Sequence, residues 1–199
     1  MSRIELGLIV EGHGEVEAAP ALIRRLALTI DPSLAMSFAA RRIPKSQLIR
    51  PGEIERAIEA LTRQIGRQKP ILVLLDADDD CPKDLADKLK AQCGAAHSDV
   101  GVSIVVANRE YEVWFLAAAN SLARCGRLLA QTTAPSDPES IRGTKEWLKT
   151  RMGTGITYSQ TRHQPAFSEV MELSEAMQAR SFRKLEKEVR RLLQPIYVS

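Results

Sequence analysis

The chain has 199 residues, with 28 Lys and Arg against 25 Asp and Glu and a formal net charge of +3. That length supports one domain of ordinary size with a real core, or a domain carrying a helical extension. The near balance of charge excludes a global field for polyanions, so any nucleic-acid footprint has to be local.

Residues 4–10 are a continuous apolar run, the pattern of a strand buried on both faces. Residues 15–28 are predicted helical, with Val16, Ala19, Leu22, Ile23, Leu26 and Ala27 on one stripe. Residues 36–40 suggest a short second strand. Pro51 and Gly52 introduce a helix reaching about Arg67, with Ile54, Ile58, Leu61 and Ile65 at helical spacing. Residues 71–75, ILVLL, are the clearest strand, followed by a helix from Pro82 to about Gln92, a strand at 102–107 and a helix at 111–123. Strand and helix alternating four times predict an α/β fold: a parallel sheet of about four strands, flanked by helices and joined by right-handed crossovers. Beyond residue 125 the character changes. Residues 132–137 and 153–155 read as loops, and 166–193 as helix with Phe182, Leu185, Val189 and Leu192 in a stripe. The expected organisation is an α/β domain over 1–125 and a mainly helical extension over 126–199 that packs on it. Cys81, Cys93 and Cys125 lack Cys-x-x-Cys spacing and read as reduced thiols, not a zinc site or disulfide frame. With no leader segment and no membrane-length apolar run, a cytoplasmic protein without membrane association is expected.

The first strand runs into Glu11-Gly12-His13-Gly14-Glu15. Gly-rich strand-to-helix turns usually hold phosphate at the helix N-terminus. Here Glu11, Glu15 and Glu17 would repel a bare phosphate. The third strand ends in a second acidic motif, Asp76-Ala77-Asp78-Asp79-Asp80. In extended chain Asp76 and Asp78 would point to one spot. Ligands of open α/β sheets bind beyond the carboxyl ends of the strands, where Glu11 also lies. Glu15, four residues on, can reach back over the same mouth. Carboxylates converging there repel one another unless a cation sits between them, and hard oxygen ligands select Mg²⁺, Mn²⁺ or Ca²⁺ over zinc. Phosphate would then bind through a metal. Glu110 and Glu112, just past the fourth strand, could either of them complete a site for one or two ions.

An apolar strand ending in Glu-Gly, a Glu four residues later and Asp-x-Asp closing a later strand resemble the TOPRIM domain. That is the Rossmann-like, metal-binding fold of topoisomerases, primases and nucleases of the overcoming-lysogenization-defect type. A bacterial group of TOPRIM-like proteins of unassigned function is similar also in its Glu-Tyr-Glu-x-Trp segment, here Glu110 to Trp114, and in a late helix like ARSFRKLEKEVRRLL. The resemblance implies a Mg²⁺- or Mn²⁺-dependent nuclease acting on DNA or RNA. Glu11 would be the metal-linked general base or acid, Asp76 and Asp78 metal ligands, and Glu15 and Glu112 partners of a second metal. The nuclease branch also uses a downstream lysine; TYSQTRHQ offers Gln160 and Arg162 but no lysine, which leaves Lys145 and Lys149 as unranked substitutes. A partner ATPase, a homodimer and a role in defence against mobile DNA are further implications of the resemblance.

Each feature has a plainer reading. Glu11 could serve only the helix dipole, worth under about 1 kcal/mol. Asp76 to Asp80 could be a solvated turn with an Asp cap. Tyr111, Trp114 and Phe115 read as core. His13 reads as a turn residue near enough for a phosphate contact, and His97 and His163 as surface. Arg41, Arg42, Lys45 and Arg50 are either a solvated loop or a contact to a phosphate backbone. The cations of the last helix read as a solvated face. A dinucleotide fingerprint fails at Glu17, no P-loop is present, and Cys81 stands where a calcium loop needs glycine. Haloacid-dehalogenase-like phosphatases also end a strand in Asp-x-Asp, with the first Asp as nucleophile, but leave Glu11 unexplained. The alternative of another class is a non-catalytic subunit that binds nucleic acid or an ATPase.

Overall fold

A computed structural model describes residues 3–93 and 101–193. His97 lies outside the described residues. The sheet is four-stranded and wholly parallel in the order β2-β1-β3-β4. Its strands are β1 (Arg3–Val10), β2 (Ala35–Arg42), β3 (Ile71–Asp76) and β4 (Val102–Ala107). The alternation of apolar runs with helical stripes is thus realised as an α/β sheet flanked by helices. In chain order the first helices are α1 (Glu15–Ile30), α2 (Lys45–Leu48), α3 (Glu53–Ile65) and α4 (Pro82–Cys93). Then come α5 (Val113–Ala117), α6 (Ala119–Arg124), α7 (Thr144–Lys149), α8 (Gln160–Val170), α9 (Leu173–Ala176) and α10 (Arg180–Leu193).

The period-2 alternation of strands divides the core into two layers. Leu6, Leu8 and Val10 of β1 face a layer holding Leu22 and Ile23 of α1, Phe115 of α5, Phe167 of α8 and Phe182 of α10. Ile9 and Val73 face the other layer, with Ile58 and Leu61 of α3 and Leu89 of α4. Residues after 125 therefore bury side chains in the same core as β1.

β2 is longer than the hydropathy suggests, because all eight of its residues pair with β1. The predicted helix at 111–123 is two helices that change direction at Ala118, and the predicted helix at 166–193 is three. None of the three breaks carries glycine or proline. Tertiary partners hold them instead: the Glu172 N–H donates to Ser121 Oγ at 3.0 Å, and the Ser121 N–H to Glu175 Oε2 at 2.8 Å. Among the described residues, no helix is long and apolar enough to cross a membrane.

Candidate functional site

From β1 the chain passes to β2 on one side and later to β3 on the other, so the strand order reverses between β1 and β3. Their carboxyl ends carry Glu11 and Asp76 at this reversal, the place where α/β sheets take ligands in a crevice. The Asp76 N–H donates to Glu11 Oε2 at 3.4 Å, and the Glu11 N–H to Glu15 Oε2 at 3.2 Å, from the first turn of α1. Asp76 Oδ1 accepts the Tyr111 N–H at 2.8 Å, which draws in the segment after β4. The next residue, Glu112, is fully buried, and its Oε1 accepts Tyr158 Oη–H at 3.1 Å and Gln164 Nε2–H at 3.0 Å. Glu11, Glu15, Asp76 and Glu112 thus gather at the crevice.

Gly12 and Gly14 permit this closeness. A Cβ on Gly12 would stand 2.6 Å from Glu15 Oε1, and one on Gly14 would stand 2.2 Å from Gln164 Oε1 and 2.4 Å from the Gln160 carbonyl oxygen. The turn is therefore shaped to receive α8 and the Glu15 carboxylate.

Charge in so dry a place is costly. Burial first, then Glu15, Glu112 and Glu11, push the Asp76 carboxyl well above the usual range. Burial lifts Glu15 to about 7, against the Gly12 and Glu11 N–H groups and with Glu112 adding to it. Glu112 and Glu11 are also raised, again mainly by burial; Lys145 opposes the shift at Glu112 and the Asp76 N–H that at Glu11. Glu15 Oε1, Glu112 Oε2 and Gln164 Oε1 are buried without a hydrogen-bond partner. Such oxygens fit a hard divalent cation, which would replace the protons this cluster otherwise keeps. Among the described residues, however, no three His, Cys, Asp or Glu side chains yet surround one point closely enough to hold an ion.

Asp78 follows the end of β3, and its charge still reaches Glu11. β3 ends at Asp76 and Asp78 adopts a left-handed φ of 52°, so the alternation of an extended chain does not carry it to Asp76. Its side chain is exposed and pairs with Lys45 Nζ, which also donates to the Ala77 carbonyl at 3.0 Å and lies 3.4 Å from Asp80 Oδ2. Lys45 is thus engaged by the strand-end loop rather than free on the rim. Burial works against its charge, but Asp78, Glu11 and Asp80 hold its ammonium above the ordinary value. Arg109 is also left-handed, with φ of 70°, and its carbonyl accepts the Asp78 N–H at 2.8 Å. Two non-glycine residues in this region at adjacent strand ends mark strain of about 1–3 kcal/mol each, concentrated beside the crevice.

Glu110 pairs with Lys145 Nζ and accepts Thr144 Oγ1–H. Lys145 is half-buried: burial opposes its charge, but Glu112, Glu110 and Asp76 outweigh it. Lys149 instead pairs with Glu146 in solvent at 3.3 Å. Of the two, Lys145 is the lysine beside the carboxylates. Arg41, Arg42 and Arg50 are exposed, Arg41 contacting Gln64 and Arg50 the Ser46 carbonyl; His13 is exposed in the turn. Tyr111, Trp114 and Phe115 are core. His163, expected at the surface, is buried at 8 %, its ring stacked on Tyr158 at 5.5 Å and its Nδ1 accepting the Ser159 N–H at 2.9 Å. Sequence reasoning missed Tyr158 and Gln164, whose only local signal is polarity inside an amphipathic segment.

Fold and site together define an α/β protein with a parallel sheet and a buried acidic cluster at its crossover point. The chain belongs to the family described as Domain of unknown function (DUF4276), whose pattern matches residues 10–190. Among solved structures it is similar to the C-terminal region of the Burkholderia pseudomallei OLD protein, at 17% identity and a TM-score of 0.47, covering 94% of this chain and 96% of that one. No curated protein matches it.

Proposed function

We propose that this chain is a divalent-metal-dependent hydrolase of nucleic-acid phosphodiesters with a TOPRIM-type arrangement of carboxylates. The observation that carries the reading is the buried cluster at the crossover, in which Glu15 Oε1 and Glu112 Oε2 lack partners. Ionised carboxylates packed this way need positive charge among them. Asp76, Glu112, Glu15 and Glu11 would hold Mg²⁺ or Mn²⁺, which when bound polarises a phosphoryl oxygen and acidifies water. Glu11 is the least buried of these four. It is the side chain to receive the proton of an attacking water, and its raised pKa brings it nearer neutrality for that task. Tyr158 and Gln164 fix the orientation of Glu112 through Oε1 and leave Oε2 for a ligand. Lys145 supplies positive charge for the phosphate as negative charge develops. Lys45 ties Asp78 and Asp80 to the loop, so Asp78 would act on a ligand only after releasing it. Arg41, Arg42 and Arg50 would contact the phosphate backbone on the β2 side. The context of phage defence and a partner ATPase rests on the sequence resemblance alone.

The test is cleavage of labelled DNA and RNA with Mn²⁺, beside calorimetric titration of Mn²⁺ into wild type and Asp76→Asn. The amide of Asn still accepts the Tyr111 N–H, so the variant should fold. Wild-type binding that disappears in Asp76→Asn, with Glu11→Gln losing about 10²–10⁴-fold in cleavage rate, is the expected result. No cleavage by metal-loaded wild type would sink the nuclease. The second reading, a subunit that binds nucleic acid or an ATPase without cutting, draws on the absence of three converged ligands among the described residues. It predicts Mn²⁺ binding in neither protein.

A further inference from the structure

A groove lies away from the carboxylates, at the sheet edge. β4 is the outermost strand, with α4 packed on one face and α10 on the other. Between the two helices runs a cleft of about 490 Å³. Ile104 and Val106 of β4 belong to its lining, Lys83 and Lys90 come from α4, and Arg180 and Lys184 from α10. Lys83 is paired with Asp87 at 3.0 Å, and Lys184 with Glu188. Glu139, also in the cleft, is occupied by the Ser181 N–H and Oγ–H, both at 2.7 Å. Lys90 and Arg180 are exposed and make no ion pair among the described residues. They are therefore not simply a solvated helix face: both line one cleft, from opposite helices, together with Asp87, which pairs with Lys83 and whose charge also reaches Lys90.

One end of the cleft lies one strand from the proposed active site. Asp76 is the register partner of Ala107, and the next residue, Asn108, lines the cleft. Adjacent strands are about 4.8 Å apart, so a chain lying over Asp76 needs to cross only one strand to enter.

We propose that this cleft is a second nucleic-acid-binding site: it takes the phosphodiester backbone of the strand leaving the carboxylates, with Lys90 and Arg180 as its phosphate contacts. This rests on the phosphodiester reading of the crevice. A lining with four cations, Lys83, Lys90, Arg180 and Lys184, against two carboxylates, Asp87 and Glu139, favours a polyanion over a peptide added to the β4 edge. The strand would thus be held on both sides of the reacting phosphate, by Arg41, Arg42 and Arg50 before it and by the cleft after it.

The test is fluorescence anisotropy of a labelled oligonucleotide, single-stranded and duplex, across a salt series with Mg²⁺ present. Proteins are Glu11→Gln, to prevent turnover, and Glu11→Gln with Lys90→Ala and Arg180→Ala. Losing two phosphate contacts should weaken binding by about tenfold or more and lower the log–log salt slope by about 1.4 for a single strand or 1.8 for a duplex. Both side chains are exposed, so an unchanged unfolding midpoint is expected and separates this from misfolding. Binding with unaltered affinity and slope in the triple variant overturns the cleft and leaves the nuclease reading standing. No binding by either protein overturns the cleft as well; the Mn²⁺ titration of Asp76→Asn, which does not involve it, then decides the carboxylate reading separately.

Discussion

At the scale of single residues the crevice is governed by close approach. Gly14 has an ordinary helical φ of −69°, so alanine there meets no backbone strain. Its Cβ would instead collide with Gln164 Oε1 and with the Gln160 carbonyl oxygen, and a backbone atom cannot swing away. Gly14→Ala should therefore cost about 1–3 kcal/mol, the usual range for overpacking, measured by urea unfolding. Gly153→Ala is the control: its Cβ would rest 3.5 Å from Ile156 Cδ1, an ordinary contact, and the change should stay within about 0.5 kcal/mol. Equal effects at the two positions would mean that α8 does not press on the turn. Gln164 is also what a residue-by-residue reading of sequence cannot find. It reaches Glu112 from 52 positions away, and nothing beside it in the chain records that meeting. Glu11 and Asp76 could be placed at the carboxyl edge of the sheet from sequence because they lie at strand ends, while Glu15 follows in the first turn of α1 and Glu112 just before α5. Asp78 could not be placed in the same way: the expected alternation holds only while the chain stays extended, and β3 has already ended, although the Asp78 charge still reaches Glu11.

Elements divide in the same way. Strands were readable because apolar runs buried on both faces have no other stable home. The subdivision of the last helices was not, since their breaks are set by Ser121 and Glu175 across the interface rather than by glycine or proline. α10 is docked on β4 by a buried charge. Glu188 is 7 % exposed, accepts Ser103 Oγ–H at 2.6 Å and pairs with Lys184 and, at 2.8 Å, with Arg191. Burial favours its neutral form, but Lys184, Ser103 and Arg191 outweigh that and hold the carboxyl at about 2. A depressed pKa stabilises the fold above the unfolded value near 4.3 and is lost as pH falls toward 2. Glu188→Gln should cost about 1–3 kcal/mol, toward the lower end because Lys184 and Arg191 are half-exposed and can turn to water. Its unfolding free energy should also depend less on pH below 4 than that of wild type. An unchanged acid profile would show that Glu188 does not dock the helix.

For the whole molecule the carboxylate cluster reverses that sign. Glu15 and Asp76, with Glu112 and Glu11, have folded pKa values above their unfolded ones, Glu15 at about 7. At these groups the native state then binds more protons than the unfolded chain, so the stability that they contribute is fully present below about pH 4 and falls as pH rises through 7. His163, whose pKa burial lowers, works in the opposite direction near pH 6 and is removed from the comparison by subtracting the profile of Glu15→Gln. In chelator, the midpoint of thermal unfolding should drop between pH 5 and pH 8 in wild type and drop less in Glu15→Gln. A cation that takes the place of those protons binds the ionised cluster, and a ligand of the native state stabilises it by mass action. Mn²⁺ should therefore raise the midpoint strongly at pH 8 and little at pH 5, with the difference vanishing in Asp76→Asn. A Mn²⁺ effect equal at both pH values, or retained by Asp76→Asn, would place the ion somewhere other than this crevice and remove the physical basis for reading the buried acids as a metal site.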